Sequence, residues 1–309
     1  MKKSTVNGLM LAGMVISWAI YYAASKQTVS ATGSAFVAGF LLRSAAFVFL
    51  TAQMAASHKI GILFRQGKTA LILMTIGVFG FLLDTFANIG YQYGDLSVGT
   101  ALLKTDVLMV NIATVILYKK KLYVSDWIGT FTMLVGVLFV MGMSFTQISI
   151  SWYDLFFIAS AVCVTVNAFI IKAAQEKFHA DTDVIAYYNN FVVLILFLVS
   201  TLLTMGGIPD FSGMGGSFWA IVILGGAAQT LIYYFYYRNL KRHEVWIVKL
   251  YLLFMPVLSC VIGVVFLDEQ LSASKIGGIA IVLAGAAVIL LRDKINGLSA
   301  KTEHNAISK

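Results

Sequence analysis

The chain has 309 residues, of which 60% are apolar and only 12% charged. A soluble domain of this size carries about 25% charge and roughly 45–50% apolar residues, so this sequence has to live in lipid. Its formal charge of +8 suggests nucleic acid at first sight, but the distribution of the basic residues described below excludes that partner.

A bilayer core of about 30 Å takes roughly 20 apolar residues per helix. Ten stretches qualify: 8–25, 34–56, 69–88, 96–118, 125–143, 152–172, 183–206, 217–237, 245–267 and 273–292. The opening "MKKSTVNGLMLAGMVISWAIYYAASK" has a basic start, but its apolar run of about 18 residues is long for a signal segment and more spans follow. It is expected to be a first membrane helix, with no cleaved leader. Connections are short, which leaves no room for an inserted soluble domain.

Charges inside the spans stand out, because each costs at least about 2.5–3.5 kcal/mol on insertion scales. At about 1.5 Å per residue, Arg43 in the second span lies roughly 3 Å outside the midplane. Asp84 in the third lies roughly 8 Å outward; Lys104 and Asp106 in the fourth lie roughly 5 and 2 Å outward. These two cations and two anions share one layer, and neutralising one another is the least costly way to keep them there. Lys104 and Asp106 are about 200° apart around an unbroken helix, so they point to opposite sides, one toward a cavity and the other toward a neighbouring helix. Two readings follow. One is a polar central site in which a basic group holds a carboxylate or phosphate and an acidic group holds an amine or takes up a coupling proton. The other is a static ion-pair network that pins the second, third and fourth spans.

Further along, Asn88, Asn111, Asn167 and Gln229 avoid lipid and should face the bundle interior, either lining a path or bonding between helices. Lys249 in the ninth span lies roughly 10 Å inward of the midplane, within snorkelling reach of the interface; the functional alternative is an inner-side contact for an anionic group. Tyrosines cluster mostly near span ends, at 21, 22, 91, 93, 187, 188 and in "YYFYYR" (233–238), and read mainly as an interfacial belt, a few of them as a cavity wall. Cys163 and Cys260 read as small buried hydrophobes. All four histidines fall in loops or the tail, and no HExxH, GxSxG or P-loop pattern is present. Zinc hydrolysis, a serine triad and ATP binding therefore have no support, and no enzyme, cofactor or metal is expected. The glycine-rich "SGMGGS" (212–217) reads as a turn. Energy would have to come from an ion gradient or from a solute's own gradient.

With the N-terminus placed in the cytoplasm, seventeen Lys and Arg residues fall on the inner side and Lys26 and Lys275 on the outer, while Arg43, Lys104 and Lys249 stay in the membrane. That asymmetry puts both termini inside a cytoplasmic membrane and accounts for the net charge without an acidic partner. A shift of 149 residues lays "LYVSDWIGTFTMLVGVLFVM" (122–141) on "LSASKIGGIAIVLAGAAVIL" (271–290), with Leu122/Leu271, Ser125/Ser274, Gly129/Gly278, Leu134/Leu283 and Gly136/Gly285 coinciding. The expectation is an all-α membrane protein of ten helices in two five-helix repeats, 1–147 and 148–294, followed by a polar cytoplasmic tail, 295–309. Five is odd, so the second repeat enters from the opposite side. Such inverted repeats mark many secondary transporters, since mirror-related halves can form inward-open and outward-open states of similar energy around one central site. Small-residue spacings such as Gly8/Ala12 and Ala280/Ala284 permit close helix contact and leave a homodimer open without identifying its face.

Two stretches carry a resemblance. One is "SWAIYYAASK", with Trp18, Ala19 and Lys26; the other is "PVLSCVIGVVFLDEQLSASKIGGIAIVLAGAAV", where Pro256 precedes Glu269 by 13 residues and Gly278 and Gly285 follow. With them the chain resembles the drug/metabolite transporter superfamily, in its ten-helix form with two EamA-type repeats, over almost its whole length. The resemblance implies that the proline opens the second half of the ninth span and that the first span faces the cavity, which makes Trp18 and Tyr22 wall residues. In the first half Val107 stands at the proline's position and Lys120 at the glutamate's, so the fourth span is expected to lack the break. The resemblance also implies transport of a small organic solute, often by export; an amino acid or similar zwitterion would suit mixed basic and acidic groups. An uncoupled facilitator and a non-transporting scaffold are the alternatives.

Overall fold

The computed structural model describes residues 3–93, 102–119, 122–140, 152–255, 257–258 and 272–289. Pro256, Cys260, Glu269, Lys120 and the 295–309 tail lie outside them. Every regular element among the described residues is helical. They are α1 (Lys3–Thr32), α2 (Ala35–Ala56), the single turn α3 (Ile60–Leu63), α4 (Thr69–Tyr93), α5 (Asp106–Tyr118), α6 (Val124–Val140), α7 (Leu155–Glu176), α8 (Thr182–Met205), α9 (Gly216–Arg242), α10 (Val245–Leu252) and α11 (Ala273–Ile289). Six of them, α1, α2, α4, α7, α8 and α9, are long and apolar enough to cross a membrane. The remaining four expected spans are occupied by α5, α6, α10 and α11.

Helix ends follow local chemistry. Gly33, at φ +64°, closes α1 in the left-handed region that a side chain disfavours. Ser34 then caps α2 by accepting from the Val37 N–H at 3.4 Å. Gln92 at the end of α4 ties this corner down, donating to the Gly33 carbonyl at 2.7 Å and accepting from the Ala35 N–H at 3.2 Å. At the N-terminus of α8, Asp181 Oδ1 accepts from the N–H groups of Asp183 and Val184 at 2.8 and 3.4 Å.

Packing repeats the internal duplication. Under the 149-residue shift α1 falls on α7, α2 on α8 and α4 on α9. The α1–α9 and α4–α7 contacts, the two most extensive, are therefore one interface made twice. The α2–α9 and α4–α8 contacts form a second such pair, and α2–α8 crosses the pseudo-symmetry axis. The glycines read in the sequence make the corresponding contact between α6 and α11. A Cβ on Gly136 would meet the Val282 nitrogen at 2.6 Å and the Gly278 carbonyl at 2.8 Å, while one on Gly285 would meet the Gly129 carbonyl at 2.7 Å. Backbones this close require residues without side chains.

One expectation fails here. The fourth span is not continuous: Leu102 and Leu103 are helical, Lys104 and Thr105 form a turn, and α5 starts at Asp106. The amides of Thr105 and Val107 bond three residues back, to Leu102 and Lys104. Leu253 and Phe254 do the same in the ninth span, bonding to Leu250 and Tyr251. The shift carries Lys104–Thr105 onto Leu253–Phe254, so the two repeats interrupt the same helix at the same place. The first half makes its turn with Val107 in place of a proline two residues on, because a three-residue turn needs neither a missing N–H nor a ring clash.

At the bundle end that bears α3, an ionic cluster joins the two repeats. Lys59 Nζ bonds Asp181 Oδ2 at 2.8 Å and Asp183 Oδ2 at 2.7 Å, and Arg238 Nη2 bonds Asp183 Oδ1 at 2.8 Å. Burial disfavours the Lys59 ammonium, but its bonds to Asp181 and Asp183 outweigh this and raise its pKa above the ordinary 10.5. Burial likewise works against the Asp181 carboxylate, and Lys59 with the backbone donors holds it below 3.8. Asp181 therefore stabilises the fold above its unfolded pKa, and loses this as pH falls through the folded value. Lys59 stabilises below its unfolded pKa, and loses this as pH rises through the folded value. The melting temperature of the purified protein should be level through neutral pH and decline below about pH 4 and above about pH 10.5. Lys59→Met should shrink both slopes modestly, because the cluster is partly exposed; acid and alkaline limbs unchanged in that variant would show that the cluster adds no stability.

Candidate functional site

Two adjoining chambers lie at the centre of the bundle and share Trp18, Leu83, Asp84 and Val164 as a common wall. The first is bounded by Arg43, Asn167, Asn189, Gln229, Tyr233, Tyr236 and Tyr237, the second by Tyr22, Leu103, Lys104, Asp106, Ser160, Lys249, Leu252 and Met255. Residues of α1, α4, α7 and α9 line the first, together with Arg43 of α2 and Asn189 of α8. The two interrupted spans close the second, meeting where Lys104 Nζ lies 4.0 Å from Met255 Sδ.

Arg43 and Asp84 form the first ion pair, both at least nine-tenths buried. Arg43 Nε donates to Asp84 Oδ2 at 2.9 Å and Nη2 donates to the same oxygen, while Nη1 donates to the Tyr233 hydroxyl at 2.6 Å. Tyr21 adds a bond to Asp84 Oδ2 at 3.2 Å. The guanidinium carbon lies 5.6 and 5.7 Å from the ring centres of Tyr21 and Tyr233, so its faces meet π-electrons rather than lipid. A fork of donors is the geometry that best compensates a carboxylate taken out of water.

Asp106 and Lys249 form the second, with Lys249 Nζ 2.9 Å from Asp106 Oδ2 and 5.4 Å from the Tyr236 ring centre. Neither sequence reading of Lys249 anticipated this. Its side chain is 1% exposed, so it does not snorkel; the stem extends toward the bundle centre, where the carboxylate is nearer than the interface. The charge layer thus has five members, and Asp106 takes its partner from the opposite repeat rather than from spans 2 or 3.

Lys104 has no carboxylate partner among the described residues. Its Nζ lies 4.0 Å from Met255 Sδ and 5.7 Å from the centre of the Tyr22 ring. Lys104 and Asp106 line one chamber instead of facing opposite ways. Through a continuous helix they would diverge by about 160°; the three-residue turn advances about 120° per residue and brings them within about 120°. The long lysine stem covers the rest.

Of the other residues singled out by sequence, Trp18, Asn167 and Gln229 line the first chamber and Tyr22 the second. Asn111 lines neither. Its amide donates to the Thr130 hydroxyl at 3.3 Å and ties α5 to α6, the interhelical role of the two considered. Asn88 accepts from Ser25 at 2.9 Å and joins α1 to α4. The belt reading of "YYFYYR" is corrected: Tyr233, Tyr236 and Tyr237 are buried, and only Tyr234 of the four tyrosines is exposed. Their spacing from Gln229, four, seven and eight residues on, marks one face of a helix, a signal present in the sequence and outweighed there by nearness to a span end. Tyr21, buried beside Asp84, was missed for the same reason.

The arrangement brings charge, hydrogen-bonding groups and aromatic rings together at the interface between two halves, the setting in which transporters bind solutes. Comparisons with other proteins agree. An uncharacterized transporter of Archaeoglobus fulgidus is 23% identical over 288 residues, covering 91% of this chain and 98% of its own. A crystal structure covering 93% of this chain and 99% of its own superposes with a TM-score of 0.74 at 20% identity, a likeness of fold. The EamA-like transporter family matches twice, over residues 7–142 and again over 151–291. The chain is a multi-pass membrane protein built as two inverted five-helix repeats, and it belongs to the EamA-like transporter family of the drug/metabolite transporter superfamily, a family of transporters rather than enzymes.

Proposed function

We propose that this protein is a secondary carrier that moves a small polar or amphipathic metabolite, amino-acid-like or another organic solute, out across the cytoplasmic membrane by alternating access. The observation that carries the reading is the meeting of two interrupted helices, one from each repeat, at a chamber holding Lys104 and the Asp106–Lys249 pair. Halves related by pseudo-symmetry can rock about such a point with little change in total energy. Both termini lie inside in this reading, as the basic residues require. Trp18, Tyr22, Arg43, Asp84, Asn167 and Gln229 complete the solute's surroundings, and the repeats divide near residues 147 and 148.

A second reading, an uncoupled facilitator, draws support from the two chamber carboxylates. Asp84 and Asp106 are both held by cations, which leaves neither free to carry a coupling proton in this state. Counterflow in liposomes that is indifferent to pH would favour it over a proton-coupled carrier.

The test is a metabolite screen by thermal shift on the detergent-purified protein, with every stabilising compound carried into counterflow assays. A ligand of the folded state raises the melting temperature by mass action. Lys104→Gln should melt at or above the wild type without ligand, because it removes an unneutralised buried charge, and lose at least about ninety per cent of counterflow, the scale of one lost charge-assisted contact. A purified protein that moves no stabilising compound, yet copurifies stoichiometrically with another membrane protein, would instead make it a scaffold.

A further inference from the structure

Among the described residues, the charges that line the two chambers do not balance. Arg43, Lys104 and Lys249 face two carboxylates, Asp84 and Asp106, and each carboxylate is already paired. Lys104 is the surplus cation among the described residues, 7% exposed. An unneutralised charge at this depth is costly, and a ligand that brings the missing anion removes the cost. A second donor points the same way: the Trp18 indole N–H is buried without an acceptor among the described residues, and Trp18 lines the same chamber as Lys104. Indole N–H and ammonium are donors only, so this wall can be satisfied only by an acceptor. Besides Asp84, Ser160 and the Asp106–Lys249 pair, the chamber is lined by apolar and aromatic side chains, Tyr22, Leu103, Leu252 and Met255 among them.

We propose that the carried solute is an organic monoanion, with its carboxylate on the Lys104 ammonium, the Trp18 N–H as a second donor, and its apolar body against Tyr22, Leu252 and Met255. This rests on the carrier reading and narrows it. A zwitterion suits the site less well, because its ammonium would have to displace Arg43 from Asp84 or Lys249 from Asp106, each a buried pair that is costly to break. A doubly charged phosphate ester would reverse the imbalance rather than cancel it.

The experiment uses matched pairs of probes: lactate and lactamide, benzoate and benzamide, indole-3-acetate and indole-3-acetamide. Each pair has one shape and differs in the charge. Melting curves of the purified full chain are taken at constant ionic strength for wild type, Lys104→Gln and Lys104→Arg. At least one carboxylate should stabilise the wild type more than its amide does. That preference should fall about tenfold or more in apparent affinity in Lys104→Gln and return in part in Lys104→Arg. No carboxylate preferred over its amide in the wild type overturns the proposal, and so does a preference that survives intact in Lys104→Gln. Counterflow in liposomes separates the two levels. A carboxylate that binds through Lys104 but is not exchanged across the membrane overturns the carrier reading and leaves the anion site standing. Exchange of amines or zwitterions without any carboxylate preference does the reverse.

Discussion

Asp84→Asn is expected to lower the stability of the purified protein by about 3–5 kcal/mol, read as a large fall in melting temperature, and to stop transport. The substitution is nearly isosteric, so packing is not the cause. Arg43 would lose the only carboxylate within reach among the described residues and keep its charge in a site that is 3% exposed. The Tyr233 hydroxyl and the rings of Tyr21 and Tyr233 would not replace it. Arg43→Met combined with Asp84→Leu removes both charges together and should regain much of the lost stability, since an apolar pair of similar volume is often neutral or better than a buried ion pair. Transport by this double variant distinguishes the pair's two readings: absent counterflow assigns it to the solute path, while wild-type counterflow makes it a pin between α2 and α4. An Asp84→Asn protein that melts like the wild type would refute the buried-charge argument altogether.

The second large effect concerns the α6–α11 contact. Gly136→Leu and Gly278→Leu should each abolish the monodisperse peak on size-exclusion chromatography in detergent, and by similar margins. A Cβ at position 136 would meet backbone atoms of α11 at 2.6 and 2.8 Å, and backbone cannot swing aside as a side chain can. At position 278 the Gly136 carbonyl stands 2.8 Å from the added carbon. The whole helix pair would have to separate, with loss of the close packing that holds membrane helices together. Gly277→Leu is the control, because nothing lies within 4 Å of its added carbon; it should run as the wild type does. Equal loss in all three variants would point to a general intolerance of leucine in this helix instead of the glycine contact.

Much of the architecture was written in the chain. Low charge and apolar runs of about 20 residues dictated membrane helices, because no water is present in the bilayer core to satisfy an open backbone. The 149-residue self-similarity announced two related halves, and the glycines that coincide under it turned out to touch one another. The presence of ions at mid-depth was equally plain, since a charge in an apolar run needs no structure to be noticed.

Their partners were another matter. Depth alone leaves Lys249 between snorkelling and an inner-side contact for an anionic group, whereas its partner is Asp106, and an unbroken fourth span sets Lys104 and Asp106 on opposite faces, whereas the helix is interrupted between them. Linear distance along a span says how deep a group lies, but which carboxylate a lysine meets depends on how helices from different repeats cross. Pro256 announces the interruption of the ninth span, but nothing announces the turn at Lys104–Thr105, where Val107 stands in the proline's place. What the sequence determined alone was therefore lipid, duplication and buried charge, each a property of composition or period. What only tertiary structure decided was the pairing, and with it the surplus of one cation, because neutralisation is settled over a few ångströms between segments up to 143 positions apart.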